Sequence, residues 1–80
     1  MEYRLCDLAP GQWGRVAELH VEGGMRRRLL DLGLVPGAEV RCMGRSPAGD
    51  PTAYLICGAV IAIRCTDAAD VVLGEVWEDG

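Results

Sequence analysis

Glycine and proline cut this chain into pieces too short for anything but a small sheet. Pro10-Gly11, Pro36-Gly37, Pro47-Ala48-Gly49-Asp50-Pro51 and Cys57-Gly58 carry the residue types that turn a backbone. Between them lie runs at 13–19, 38–45, 52–56, 59–64 and 71–77, rich in β-branched and apolar residues. Runs of that length, bounded that way, read as strands. Their spacing predicts a mainly β fold, a small barrel of five or six short strands with one or two short helices. Closing the sheet suits a short chain, because closure removes sticky unpaired edges. At 80 residues the chain reads as one domain, and such a domain buries only roughly 60–65% of the surface its unfolded form exposes. That leaves no room for a deep cleft between long helices.

Alternation along the strands says which side chains face inward. Val40, Cys42 and Gly44 share one face, and Glu39, Arg41, Met43 and Arg45 the other. Cys42 therefore reads as a core thiol. Ala59, Ile61 and Ile63 oppose Val60, Ala62 and Arg64, so that strand is apolar on both faces and its outer side calls for a cover. The expected cover is a helix at 25–32, where Met25, Leu29 and Leu32 fall at helical spacing beside Leu30. Gly33 then ends the helix. Arg26, Arg27 and Arg28 fall in its first turn, the wrong end for the helix dipole, with Asp31 within reach of Arg27 or Arg28. The last three residues, Glu78, Asp79 and Gly80, are expected to fray.

Charge separates the body from the tail. The net charge is −4. All the basic residues are Arg, and all lie within residues 1–64, whose net charge is +1; residues 65–80 carry five acids and no Arg. A free-standing nucleic-acid binder needs a basic surplus, so that class is set aside. No stretch reaches the ~18 apolar residues of a membrane span. The opening Met1-Glu2-Tyr3-Arg4 lacks a secretory apolar core, and the expected location is cytoplasmic.

An enzyme finds little to work with. His20 is the single histidine, and nothing in the sequence joins it to Cys6 or Asp7. A surface histidine at a strand end is its simpler reading. Without Lys there is no phosphate loop of the GxxxxGK type. The four cysteines at 6, 42, 57 and 65 form no CxxC pair and read as free thiols. No cofactor is certain. Thiolate and imidazole would suit Fe²⁺ or Zn²⁺, so His20, Cys42, Cys57 and Cys65 are the metal candidates if the fold gathers them. Arg26, Arg27 and Arg28 have three readings: a solvated helix face, a contact surface for an acidic partner, or an arginine finger completing a partner's GTPase site.

The segment Arg28-Leu29-Leu30-Asp31-Leu32-Gly33-Leu34-Val35-Pro36-Gly37-Ala38-Glu39-Val40 resembles the FeoA family. So do Gly49-Asp50-Pro51, Gly58, Ala62-Ile63-Arg64 and the opening Leu5-Cys6-Asp7-Leu8-Ala9-Pro10-Gly11. The resemblance runs from about residue 5 to residue 76. In the segment itself Leu29, Leu30, Leu32 and Leu34 read as a plug for the barrel end. The resemblance implies an SH3-like β-barrel and an accessory role in bacterial ferrous iron uptake. It implies a partner as well, the cytoplasmic GTPase domain of a FeoB-like membrane transporter; the arginine run itself offers Arg26, Arg27 and Arg28 as the expected docking residues. The same barrel occurs in iron-dependent repressors, but with an acidic net charge and no helix-turn-helix read ahead of the barrel, a repressor is not expected. The rival reading is a metal-binding module, an iron sensor or chaperone. A peptide-binding SH3-like module is disfavoured by having only Tyr3, Trp13, Tyr54 and Trp77 to line a groove. Homo-oligomerisation stays open.

Overall fold

A computed structural model of the chain describes residues 2–78. Six strands appear: β1 (Tyr3–Arg4), β2 (Gln12–Leu19), β3 (Glu39–Arg45), β4 (Thr52–Ile56), β5 (Ala59–Ile63) and β6 (Val71–Glu78). Helix α1 (Gly23–Asp31) follows β2, and the short helix α2 (Cys65–Ala68) follows β5. A 3-10 turn at Leu5–Asp7 follows β1. Every run expected to be a strand is one, and β1 adds the sixth.

The strands form one antiparallel sheet in the order β1-β6-β2-β3-β4-β5. Strand β6 lies between β1 and β2, so it is an inner strand next to the short edge strand β1. Among the described residues no ladder joins β1 to β5. The 3-10 turn and α2 pack together across that side instead. Arg4 Nη1 donates to the Ala69 carbonyl at 3.2 Å, and the Tyr54 hydroxyl donates to the Leu5 carbonyl at 3.3 Å.

Leu5, Leu8, Val16, Leu29, Leu34, Val40, Cys42, Tyr54, Ile56, Ile63, Val71 and Leu73 make the core. Val40 and Cys42 are inside, as the alternation requires. The pattern then breaks at a bulge between Cys42 and Gly44, opposite Tyr54 and Ala53. Met43 is the extra residue and is exposed, and Gly44 is only half-buried. The β4–β5 hairpin turns on Cys57 (φ 49°) and Gly58 (φ 82°). Two consecutive positive φ values define the turn whose twist matches the flanking strands.

The helix departs from expectation at its start. It begins at Gly23 rather than Met25 and stops at Asp31. Arg26 therefore falls at the end of the first turn, Arg27 leaves it, and Arg28 reaches the last turn, where a cation favours the helix dipole. No ion pair joins Asp31 to Arg27 or Arg28 among the described residues. The stop itself is as expected. Gly33 N–H bonds the Leu30 carbonyl at 3.0 Å, and Leu34 N–H bonds the Leu29 carbonyl at 2.9 Å. These are the two bonds of a Schellman cap, with Gly33 at φ 102° in its left-handed position. Leu29 and Leu34, which the cap brings together, are both buried, whereas Leu30 and Leu32 are half-buried.

The helix does not cover the outer face of β5. Val60 is 61% exposed, and Ala62 and Arg64 are exposed with it. Leu29 is drawn into the core beside Leu34, which sets α1 at the side of the sheet rather than over β5. At the end of the chain, Glu78 is held within β6 opposite Gln12, and its Oε1 accepts from Gln12 Nε2 at 3.2 Å. Asp79 and Gly80 lie outside the described residues.

Candidate functional site

The fold spreads the three consecutive arginines of α1 around the helix. Arg26 Nη1 donates to the Leu19 carbonyl at 2.6 Å, which pins this side chain to the end of β2. Arg27 lies on an open surface with Gly23, Leu30 and Asp31, which it shares with Arg26. Arg28 faces a cleft shared with Arg64 and Asp67. All three are exposed. Arg26 is committed to the fold, and Arg27 and Arg28 are presented to solvent in different directions.

The cleft at Arg28 is about 190 Å³ in volume. Met25, Leu29 and Leu32 of α1 form one wall, Ile61, Ala62, Ile63 and Arg64 the other, and Asp67 of α2 lies at its lining. Its charged lining is two guanidiniums against one carboxylate.

The motif residues Gly49-Asp50-Pro51 act on α2. Asp50 Oδ1 accepts from the Cys65 backbone N–H at 2.9 Å. Helix N-termini leave their first N–H groups without partners. Arg64 occupies the cap position of α2 without capping it, so a carboxylate 15 residues earlier takes that part.

The four metal candidates are not gathered. Cys42 is buried under the sheet, while Cys57 is exposed in the β4–β5 turn and Cys65 at the start of α2. His20 Nε2 lies 3.4 Å from Glu18 Oε2 at the surface. Among the described residues no three His, Cys, Asp or Glu side chains are grouped to hold an ion. The residues present do not fit a resident Fe²⁺ or Zn²⁺. The thiol that lies near another is Cys6, with Cys65 close by. Burial, first, and then Asp7 and Cys65 push the Cys6 thiol up from its ordinary value. Burial also pushes Cys42 up. Tyr54, buried over the same core, is driven well above the ordinary phenol range.

The aromatic residues behave unlike their scattered positions. Trp13 and Trp77 stand opposite each other on β2 and β6 and stack, with centroids 6.3 Å apart and planes within 6°. Arg15 lies over Trp77 at 5.3 Å, and Arg41 over Trp13 at 5.8 Å. Sequence reasoning set the aromatics aside as too few. The available signal was their place near the start of one strand run and the end of another, which an antiparallel register brings together.

A six-stranded antiparallel sheet with two short helices is a small SH3-like domain. The FeoA domain family matches residues 3–73, and the chain belongs to that family. The FeoA protein of Chlorobium tepidum is 32% identical and superimposes with a TM-score of 0.84, covering 89% of this chain and 68% of that one. The zinc-complexed FeoA of Stenotrophomonas maltophilia, described as a prokaryotic SH3 domain protein, is 31% identical, with a TM-score of 0.74 over 89% of this chain and 88% of that one. An Fe(2+) transport protein A/Fe(2+) transporter FeoB fusion protein of Porphyromonas gingivalis is 29% identical over 68 residues. That match takes in 85% of this chain but only 8% of the fusion protein. No helix of the described residues is long and apolar enough to cross a membrane.

Proposed function

We propose that this chain is an accessory protein of bacterial ferrous iron uptake, acting by contact with the cytoplasmic GTPase domain of a FeoB-like transporter. The observation that carries this is the fusion relative, in which a stretch similar to this chain shares one polypeptide with an Fe²⁺ transporter. Fusion places two modules at high effective concentration, which suits partners that otherwise meet by docking. The Stenotrophomonas relative, described as a candidate activating factor for ferrous iron transport, agrees with this. Iron is then the transporter's cargo rather than a resident group of this domain. Arg27 and Arg28, exposed on α1, supply the cationic contact, and Arg26 braces the helix that presents them.

The test is capture of the chain by the transporter's cytoplasmic domain, with GTP turnover measured alongside. Charge reversal at Arg27 and Arg28 should weaken capture, and more so at low salt, because exposed charges are screened as salt rises. Unchanged capture would remove the arginines from the interface. An unaltered GTP turnover rate would leave docking and end the arginine-finger version.

A further inference from the structure

Strand β5 is an unguarded edge. The other edge, β1, is only two residues long, and shortness is one way proteins blunt an edge. β5 reads Ala59-Val60-Ile61-Ala62-Ile63, with no charge, proline or bulge within it. Its free side follows from the hairpin. Ile56 and Ala59 flank a two-residue turn, so they exchange both ladder bonds, and the pattern alternates from there. Ala59, Ile61 and Ile63 turn their backbone N–H and C=O groups toward β4. Val60 and Ala62 turn theirs outward.

The cleft beside α1 runs along that side. A groove lying over one face of a strand touches alternate residues. This one touches Ile61, Ala62, Ile63 and Arg64 in succession, so it follows the strand's edge. Its far wall is apolar (Met25, Leu29 and Leu32), and Arg28 and Arg64 stand in its lining. No ion pair joins either arginine to an acid among the described residues.

We propose that this groove binds an extended segment of a partner protein as an added strand on β5, with apolar side chains toward α1 and at least one carboxylate toward Arg28 and Arg64. The outward backbone groups of Val60 and Ala62 supply affinity, as in other strand-addition complexes, and the wall selects side chains. Two cations against one acid favour an acidic segment over a neutral or basic one. The inference rests on the docking reading for who supplies the strand, and on β5 for how it is held.

The test uses the full chain and a capped synthetic heptapeptide alternating valine and glutamate. At saturating peptide, hydrogen exchange at the Val60 and Ala62 amides should slow by about tenfold or more. The same peptide N-methylated along both edges should not bind, and a lysine-for-glutamate analogue should bind more weakly. Ala62→Pro, which removes an outward N–H and no ladder bond, should abolish binding; Val60→Lys, a gentler guard, should reduce it. Absent protection, or full binding by the N-methylated peptide, overturns strand addition. Equal binding by the lysine analogue overturns the acidic partner. Protection that rises with protein concentration alone assigns the edge to a second copy and overturns the partner choice. If the peptide binds but the transporter domain is not captured, the docking reading fails and strand addition stands. If Ala62→Pro is captured like the parent chain, docking stands and strand addition fails.

Discussion

The Cys57 thiol rests directly against Gly33: its Sγ donates to the Gly33 carbonyl at 3.8 Å, and a Cβ on residue 33 would collide with that sulfur. The cap of α1 and the turn of the β4–β5 hairpin are thus fitted to each other. Each has a positive φ, but only Gly33 takes it without steric cost.

Gly33→Ala should therefore destabilise the chain twice over. The left-handed backbone costs about 1–2 kcal/mol for a residue with a Cβ, and the clash with Cys57 adds to it. Cys57→Gly removes the sulfur, so Gly33→Ala should cost less in that background. Denaturant unfolding of both single variants and the double variant measures the coupling, which should exceed about 0.5 kcal/mol. Strict additivity would mean that the sulfur yields freely.

Asp50→Ala should loosen α2. Loss of a cap acceptor costs about 0.5–2 kcal/mol, and about 1 kcal/mol lowers Tm by roughly 4–8 °C in a domain of this size. Asp50→Asn keeps an acceptor oxygen and should recover most of the loss. A thermal melt of the two variants against the parent decides it.

Stability should be level up to about pH 9 and decline above it. Cys6 and Cys42 have folded values raised above the ordinary 9.0, and Tyr54 is raised above the ordinary 10.0. The folded chain therefore holds these protons more tightly than the unfolded one. Their contribution is complete below the unfolded values and is lost as pH rises through the folded ones. Tyr54→Phe should lose about 1 kcal/mol at neutral pH with its hydrogen bond to Leu5. It should also flatten the decline above about pH 10. Unfolding midpoints across pH 7–11 test both slopes.

The tryptophan pair should be visible spectroscopically. Stacked indoles couple, so far-ultraviolet circular dichroism should show an exciton couplet that Trp77→Ala abolishes. The same change should cost more than the lost area alone, since aromatic pairs contribute about 0.5–1.5 kcal/mol beyond burial. A parent spectrum without a couplet would refute the stacked arrangement.

Thiol labelling should run in order of exposure. Cys57 and Cys65 should react first, half-buried Cys6 later, and Cys42 only as the chain unfolds. Timed alkylation followed by mass analysis reads the order. Labelling of Cys42 as fast as Cys65 would contradict its place in the core.

What the sequence determined by itself was local. Turn chemistry at Pro36-Gly37 and Cys57-Gly58, alternation at Val40 and Cys42, and the Gly33 stop are set by neighbouring residues, so strand runs and the helix end were legible. The family segment was legible for the same reason, because its leucines and glycine act within one helix cap. The tertiary structure alone decided everything that depends on register across the sheet. It inserted β6 between β1 and β2, which stacked Trp13 on Trp77 and set Arg15 and Arg41 over them. It left Cys42, Cys57, Cys65 and His20 apart and set Cys6 beside Cys65 instead. It pinned Arg26 and pointed Arg28 into the cleft along β5. Each of these is a contact between residues far apart in the chain, chosen by which strand order buries a thin core best, and no local pattern encodes that choice.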